Sequence, residues 1–328
     1  AMLARCRSPV ARCAALRLSR HFASEGVPRV TTTWSDDGIA TVQLNRPDKL
    51  NALDLPMFQA IEAAARDLHS NPKLRAVILS GNGKAFSAGL DVKSVSSNPA
   101  NAVTLLKRED GEEGNLAQNV AHLWRKLPVP VICVTHGVCF GGGLAVALGA
   151  DIRITTSSCR FSVMEVKWGI IPDMSHSIAF RQLVPIDIAK ELTMTGREFD
   201  GVEAKSLNLV THVVDSLEEA HSMAKQLAES IATRSPDAIA ATKVLIESTW
   251  DLPVADALKE ETRIQLRVMG RPNQLLAAAR SLKLTKRGFF PRSQRWTPRD
   301  VPRETRKSRR FRWDGQLDQV LTRQAKTM

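Results

Sequence analysis

The chain has 328 residues, 43% of them hydrophobic and 24% charged, the balance of a globular protein with an ample core. No run approaches the ~18 uninterrupted apolar residues that a membrane-spanning helix needs. The five cysteines (Cys6, Cys13, Cys133, Cys139, Cys159) show no CxxC spacing, so neither a zinc motif nor a disulfide framework is indicated, and a reducing compartment fits best.

The formal net charge of +12 is confined to the two ends. Residues 1–24 hold five arginines and no acid, with Leu and Val interleaved, the composition of a mitochondrial transit peptide or of a basic arm. Targeting to the mitochondrial matrix is the expectation. Residues 25–282 hold 27 basic against 30 acidic side chains, so the body is not a nucleic-acid-binding surface by composition.

A two-residue alternation runs from Val30 through Ile39–Asn45 and predicts a hairpin turning at Asp36-Asp37-Gly38. Helical spacing follows from Asp54 to Leu68, then a short buried strand at Ala76–Leu79 and a turn at Gly81-Asn82-Gly83. Residues 98–115, with Arg108–Glu113 at their charged centre, read as a surface loop or mobile lid. Strands are expected at Val129–Thr135, Ile152–Thr155 and Cys159–Val163, with helical periodicity over 187–195, 216–233, 236–248 and 253–268. Strands alternating with helices, followed by a region that is nearly all helix, indicate an α/β core with a helical C-terminal region.

The stretch from Phe140 to Asp173 carries the most chemistry. Gly141-Gly142-Gly143 opens a helix and leaves bare backbone N–H groups at its positive end, unless tight packing or a turn is all the glycines serve. Glu165 follows in an apolar strand-like run, then Asp173 after a glycine and a proline. Amide donors beside an acid in apolar surroundings suit a reaction that passes through an oxyanion.

Together with Leu44–Pro47, Asn51–Leu53, Ala85–Asp91, His136-Gly137, Ala150-Asp151, Glu165–Gly169 and Thr195-Gly196, these motifs resemble the crotonase (enoyl-CoA hydratase/isomerase) superfamily over nearly all of residues 30–282. The resemblance implies a spiral of ββα turns with a helical C-terminal trimerisation region, and a homotrimer or hexamer. By this division residues 1–24 are the transit peptide, 25–215 the spiral core, 216–282 the helical region and 283–328 a basic aromatic tail. It implies an acyl-CoA substrate, no metal and no separate cofactor, CoA being part of the substrate. The oxyanion hole would consist of the Ala88 and Gly142 amides. Leu90 and Asp91 would hold the adenine end of CoA, and Arg46 and Lys49 its phosphates or pantetheine, although plain surface charge also accounts for Lys49.

The carboxylates select the reaction. Hydratases of the superfamily use two glutamates, and the position of the first is Ala145 here. Glu165 keeps the second, where desolvation raises a carboxyl toward a usable base; a surface glutamate on an edge strand is the plainer alternative. Asp173, eight residues on, resembles the second acid of dienoyl-CoA isomerases, and capping a helix that begins near Ser175 is an equal alternative. Catalytic roles for Glu165 and Asp173 therefore imply a double-bond isomerase, with hydratase activity as the alternative. His136 reads as structural, His176 shows no metal or triad spacing, and Trp168 and Met164 read as pocket wall or core.

From Lys283 the composition turns to Arg, Lys, Pro, Phe and Trp without period, with twelve basic residues against Asp300 and Glu304 in 283–313. Such a tail is a disordered solvated extension, or it docks on RNA, a membrane or a larger protein complex. The last possibility leaves open a non-catalytic subunit of a mitochondrial assembly.

Overall fold

The structure is a computed structural model that describes residues 27–293 and Trp296. The leader 1–24, with Cys6 and Cys13, lies outside the described residues, as do Phe311 and Trp313 of the tail.

The chain begins with the expected hairpin, β1 (Val30–Trp34) antiparallel to β2 (Ile39–Leu44). After a 3-10 turn at Pro47–Lys49 comes α1 (Leu55–Ser70), whose first turn is capped by Asp54 accepting from Met57 N at 2.9 Å. Met57, Phe58, Ile61, Ala65 and Leu68 bury one face of it, at helical spacing. β3 (Ala76–Gly81) lies parallel to β2 and is buried along its whole length. α2 (Val92–Ser96) follows, just before the expected loop region, and α3 (Pro99–Leu106) occupies the first half of that region. The Asn98 side chain caps α3 and Leu105 is buried, so residues 98–115 are not one loop or lid; only 107–115 lack regular structure.

An Asn115–Gln118 capping box starts α4 (Leu116–Lys126), and β4 (Val131–Thr135), β5 (Val138–Phe140), α5 (Gly142–Leu148), β6 (Ile152–Thr156) and β7 (Arg160–Ser162) follow. The remaining elements are α6 (His176–Leu183), α7 (Ile186–Thr195), β8 (Glu198–Phe199), α8 (Gly201–Ser206), β9 (His212–Val214), α9 (Leu217–Ala232), α10 (Pro236–Thr249), α11 (Val254–Val268) and α12 (Pro272–Ser281). The short elements β8, α8 and β9, and the helix α12, had no counterpart in the sequence reading.

Two sheets result, one in the order β1-β2-β3-β4-β6-β9, the other β5-β7-β8. Alternation along the inner strands serves two faces. Ala76, Ile78, Ile132, Val134 and Ile154 pack with Ala220, Ala224 and Ala228, a stripe of three alanines four residues apart that lets α9 approach closely. Val77, Leu79, Val131 and Cys133 join the larger core with α1, α4 and α5. β4 leads through a turn into β5, and β5 into α5, so the sheet-to-sheet crossover delivers the glycine triplet to a packed corner. The α/β class and helical C-terminal region match the expectation.

The first part of the tail packs on the body rather than standing free in solvent. Asp237, buried on α10, accepts from Asn273 Nδ2 (2.7 Å), Ser293 N (2.7 Å) and Trp296 Nε1 (3.1 Å). Arg292 N donates to Pro72 O at 3.0 Å, and Arg280 lies 4.8 Å from the centre of the Phe289 ring.

Candidate active site

The glycine corner is built from three different close approaches. Gly141 has φ +46° and ψ −118°, and a Cβ there would lie 3.2 Å from Glu165 Oε1. A Cβ on Gly142 would meet Met174 Sδ at 2.8 Å and Leu53 Cδ1 at 3.0 Å, and one on Gly143 would meet Ser87 Cβ at 2.7 Å. Tight packing is therefore one job of the triplet. The other is chemical: Gly142, as the first residue of α5, has no carbonyl a turn earlier to donate to, and its N–H donates to no other described backbone.

The second amide of the corner is not that of Ala88. Ala88 N–H donates to Leu50 O at 2.8 Å and is spent. Leu90 N–H, two residues on, has no partner among the described residues. Leu53 N donates to Gly89 O (2.7 Å) and Asp91 N to Leu53 O (3.0 Å), so the Gly89–Leu90 peptide is clamped on its carbonyl side. Gly89 has φ +86°, and a Cβ there would sit 2.6 Å from Phe140 O and 3.5 Å from Gly142 N. Leu90 and Gly142 thus present two unpaired amides from neighbouring segments, the arrangement that holds a developing oxyanion.

Glu165 stands over this corner, on a 3-10 helix (Met164–Trp168) rather than the strand-like run expected. It is 8% exposed, and its Oε2 has no hydrogen-bond partner. Burial pushes its carboxyl up to about 7; its own backbone N–H opposes the shift and the charge of Asp173 adds to it. The two carboxyls the sequence singled out thus lie near enough to feel each other's charge. Asp173 is half-buried and also raised, chiefly by burial. It does not cap α6: the cap position is Ser175, and no side chain caps there. Ala145 is buried on α5, a methyl in the core where a hydratase's other glutamate would stand.

Beside the corner lies a groove of about 610 Å³ lined by Lys49, Ala52, Leu90, Asp91, Val92, Lys93, Ser94, Ser97 and Trp168. Lys49 and Lys93 are exposed cations at its edge. Lys93, Ser94 and Ser97 were missed from the sequence; the usable signal was Asp91 capping α2, which accepts from Ser94 N at 3.1 Å and fixes that turn at the groove. Arg46 does not line the groove. It is 13% exposed and braces it from behind, 2.7 Å from Asp91, 3.6 Å from Asp54 and 3.2 Å from Ala52 O. Burial works to raise the Asp91 carboxyl, but the Arg46 and Ser94 hydrogen bonds and Lys49 hold it below the usual range.

Trp168 is 60% exposed, a groove wall and not core, while Met164 is partly buried. His136 is structural, its Nε2 2.9 Å from Gly83 O. Among the described residues no cluster of three or more His, Cys, Asp or Glu has metal-binding geometry.

Residues 35–273 match the family model for enoyl-CoA hydratase/isomerase, and the chain belongs to that family. It is 31% identical over 227 residues to enoyl-CoA hydratase EchA19 of Mycobacterium tuberculosis, covering 69% of this chain and 84% of that protein. It is 32% identical over 234 residues to the peroxisomal Delta(3,5)-Delta(2,4)-dienoyl-CoA isomerase of Arabidopsis thaliana, covering 68% and 82%. The crystal structure of enoyl-CoA hydratase from Bacillus anthracis superposes with a TM-score of 0.71 at 26% identity, over 78% of this chain and 96% of that one. Relatives thus include both hydratases and isomerases, and the carboxylates must separate the two.

Proposed function

We propose that the protein is an acyl-CoA double-bond isomerase acting on an enoyl- or dienoyl-CoA, with Glu165 as the base and Asp173 as its partner. The observation that carries this reading is the single buried carboxyl raised to about 7 beside two unpaired amides, with a core methyl at Ala145. Hydration needs water held and activated between two acids. Isomerisation needs only one base that removes a proton next to the thioester carbonyl and returns it farther along the chain.

The thioester oxygen would rest between the Leu90 and Gly142 N–H groups and take up charge as Glu165 removes the α-proton. For an enoyl-CoA the dienolate electrons then re-form the carbonyl and conjugate the double bond, while Glu165, or Asp173 beside it, delivers the proton at the γ-carbon; for a 3,5-dienoyl-CoA the extended enolate takes the proton at the ε-carbon. Each oxyanion donor typically contributes about 3 kcal/mol to the transition state. Lys49 and Lys93 at the groove edge would meet the phosphates of CoA, with Arg46 holding the Asp91 turn behind them. No cofactor apart from the substrate's own CoA enters this chemistry.

The arginine-rich, acid-free start supports a mitochondrial matrix location, testable with a fluorescent fusion to residues 1–24. Exposed Trp250, at the end of α10, with Val254 and Leu258 of α11 support a homotrimer or hexamer, to be read by sedimentation.

The test is to incubate the full chain with a β,γ-unsaturated enoyl-CoA and with a 3,5-dienoyl-CoA, and to follow the conjugated thioester by ultraviolet absorbance. Conversion lost in Glu165→Gln supports the reading. A folded protein inert toward both substrates would overturn it and favour a non-catalytic subunit.

A further inference from the structure

The end of α12 and the chain that follows it hold a surface loop in a fixed shape. Lys283 N donates to Arg280 O at 3.0 Å and Leu284 N to Ala279 O at 2.9 Å, with Lys283 in the left-handed region at φ +58°. In a helix stop of this kind the residue after the left-handed one commonly packs back on the helix. Here the residue it would meet is only Ala279, and Leu284 stands 75% exposed, with Leu282 at 70%. The chain then returns to the same helix. Phe290 N donates to Asn273 Oδ1 at 2.9 Å, Asn273 Nδ2 donates to Phe290 O at 3.2 Å, and Arg280 lies 4.8 Å from the centre of the Phe289 ring. The loop from Leu282 to Phe290 is therefore tied to α12 at both of its ends.

Its charge has one sign. Residues 262–293 hold eight Lys and Arg and no acid. Lys283, Lys286 and Arg287 are exposed on the loop itself and pair with no acid among the described residues. Exposed leucines among unpaired cations, on a loop that cannot fold them away, match the chemistry of an anionic lipid surface. The cations meet headgroup phosphates, and the apolar side chains enter the boundary of the acyl chains. Nucleic acid fits less well, because bases stack on open aromatic rings. Phe289 already has Arg280 and Arg75 against it, Phe290 has Arg287 at 4.7 Å, and Trp296 is buried with Arg267 at 4.9 Å. The two leucines offer an RNA strand nothing.

We propose that the loop from Leu282 to Phe290 docks the protein on an anionic membrane surface, Leu282, Leu284 and Phe290 entering the interface and Lys283, Lys286 and Arg287 binding the headgroups. The anchor of this strap and the groove lie at opposite ends of α1. At its start Asp54 pairs with Arg46 behind the groove; just past its end Pro72 O accepts from Arg292 N. The helix between has 16 residues, a length of about 24 Å. Docking thus uses no residue of the groove, and the proposal stands whichever reaction the corner catalyses.

The test is cosedimentation of the full chain with vesicles of phosphatidylcholine alone, and of phosphatidylcholine mixed about three to one with phosphatidylserine. Two double variants divide the surface: Leu282→Asn with Leu284→Asn removes apolar anchors, and Lys283→Glu with Lys286→Glu reverses charge. All four side chains are exposed, and melting curves check that each variant folds as wild type does. The expected result is binding to the anionic vesicles that weakens with added salt, and much less to the neutral ones. Affinity should fall roughly tenfold or more in the charge variant and several-fold in the leucine variant. A wild type that ignores anionic vesicles overturns the proposal. So does wild-type affinity in both variants, which keep residues 1–24 and 294–328 intact and would place the binding there. A loss in the charge variant alone overturns the lipid assignment, and polyuridine displacing the vesicles would then mark a nucleic-acid surface.

Discussion

Glu165 and Gly141 share one surface: a Cβ on Gly141 would fall 3.2 Å from Glu165 Oε1 and 3.5 Å from Cδ. The missing side chain lets the acid lie directly against the corner whose amides would face a thioester in the proposed reaction. Gly141→Ala therefore meets both a crowded carboxylate and a positive φ. The expected cost is about 1–3 kcal/mol of stability, with kcat falling more than KM rises. Steady-state kinetics on the folded variant separate the two effects.

The raised carboxyl of Glu165 sets a pH dependence. If its anion is the base, kcat/KM climbs through about pH 7 as the proton leaves. Glu165→Gln abolishes that limb together with the activity.

The same shift makes a stability statement. The folded protein holds the Glu165 proton more tightly than the unfolded chain does, so this group destabilises the fold as pH rises from the ordinary value of 4.5 to about 7, and fully above that. Glu165→Gln should then be more stable than wild type at pH 8, by about 3 kcal/mol. The gain should vanish near pH 4. Melting curves at the two pH values check the sign.

At the groove edge, Lys49 and Lys93 are exposed cations, and their effect should be on binding alone. Lys93→Glu is expected to raise KM for an acyl-CoA several-fold at low ionic strength, with kcat unchanged and the difference shrinking as salt is added. Arg46→Ala should act differently, by loosening the Asp91 turn, and its effect should persist in salt.

Away from the site, Asp237 joins α10, α12 and the strap that ends at Trp296. Asp237→Ala leaves the Ser293 N–H and the Trp296 indole without this acceptor and takes one of two from Asn273 Nδ2, and should cost about 2–4 kcal/mol, with kcat preserved. Chemical denaturation read beside kinetics tests this.

Much of the molecule was legible from residue order. The β1–β2 hairpin, α1, the buried strands and the glycine-opened α5 all follow from local period and turn chemistry, and Glu165 with Asp173 from spacing within a motif. What escaped depends on contacts between distant segments. Ala88 was assigned the free amide, but the left-handed turn at Gly89 and the pairing of 88–91 with Leu50 and Leu53 spend that N–H and free that of Leu90. Arg46 carries the charge expected of a phosphate ligand, yet Asp54 and Asp91 claim it, and no sequence pattern announces that pairing. The described start of the tail, 283–293 with Trp296, has no period because it is held by buried hydrogen bonds to Asp237 and Asn273, not by a repeating apolar face.

The most direct test of the central claim is to run the full chain on a β,γ-unsaturated enoyl-CoA in deuterated water and weigh the product thioester. A conjugated product without added water, absent in Glu165→Gln, is the expected result, whether or not solvent deuterium has entered it. A product heavier by one water would contradict it, making Glu165 and Asp173 a hydratase pair despite the methyl of Ala145.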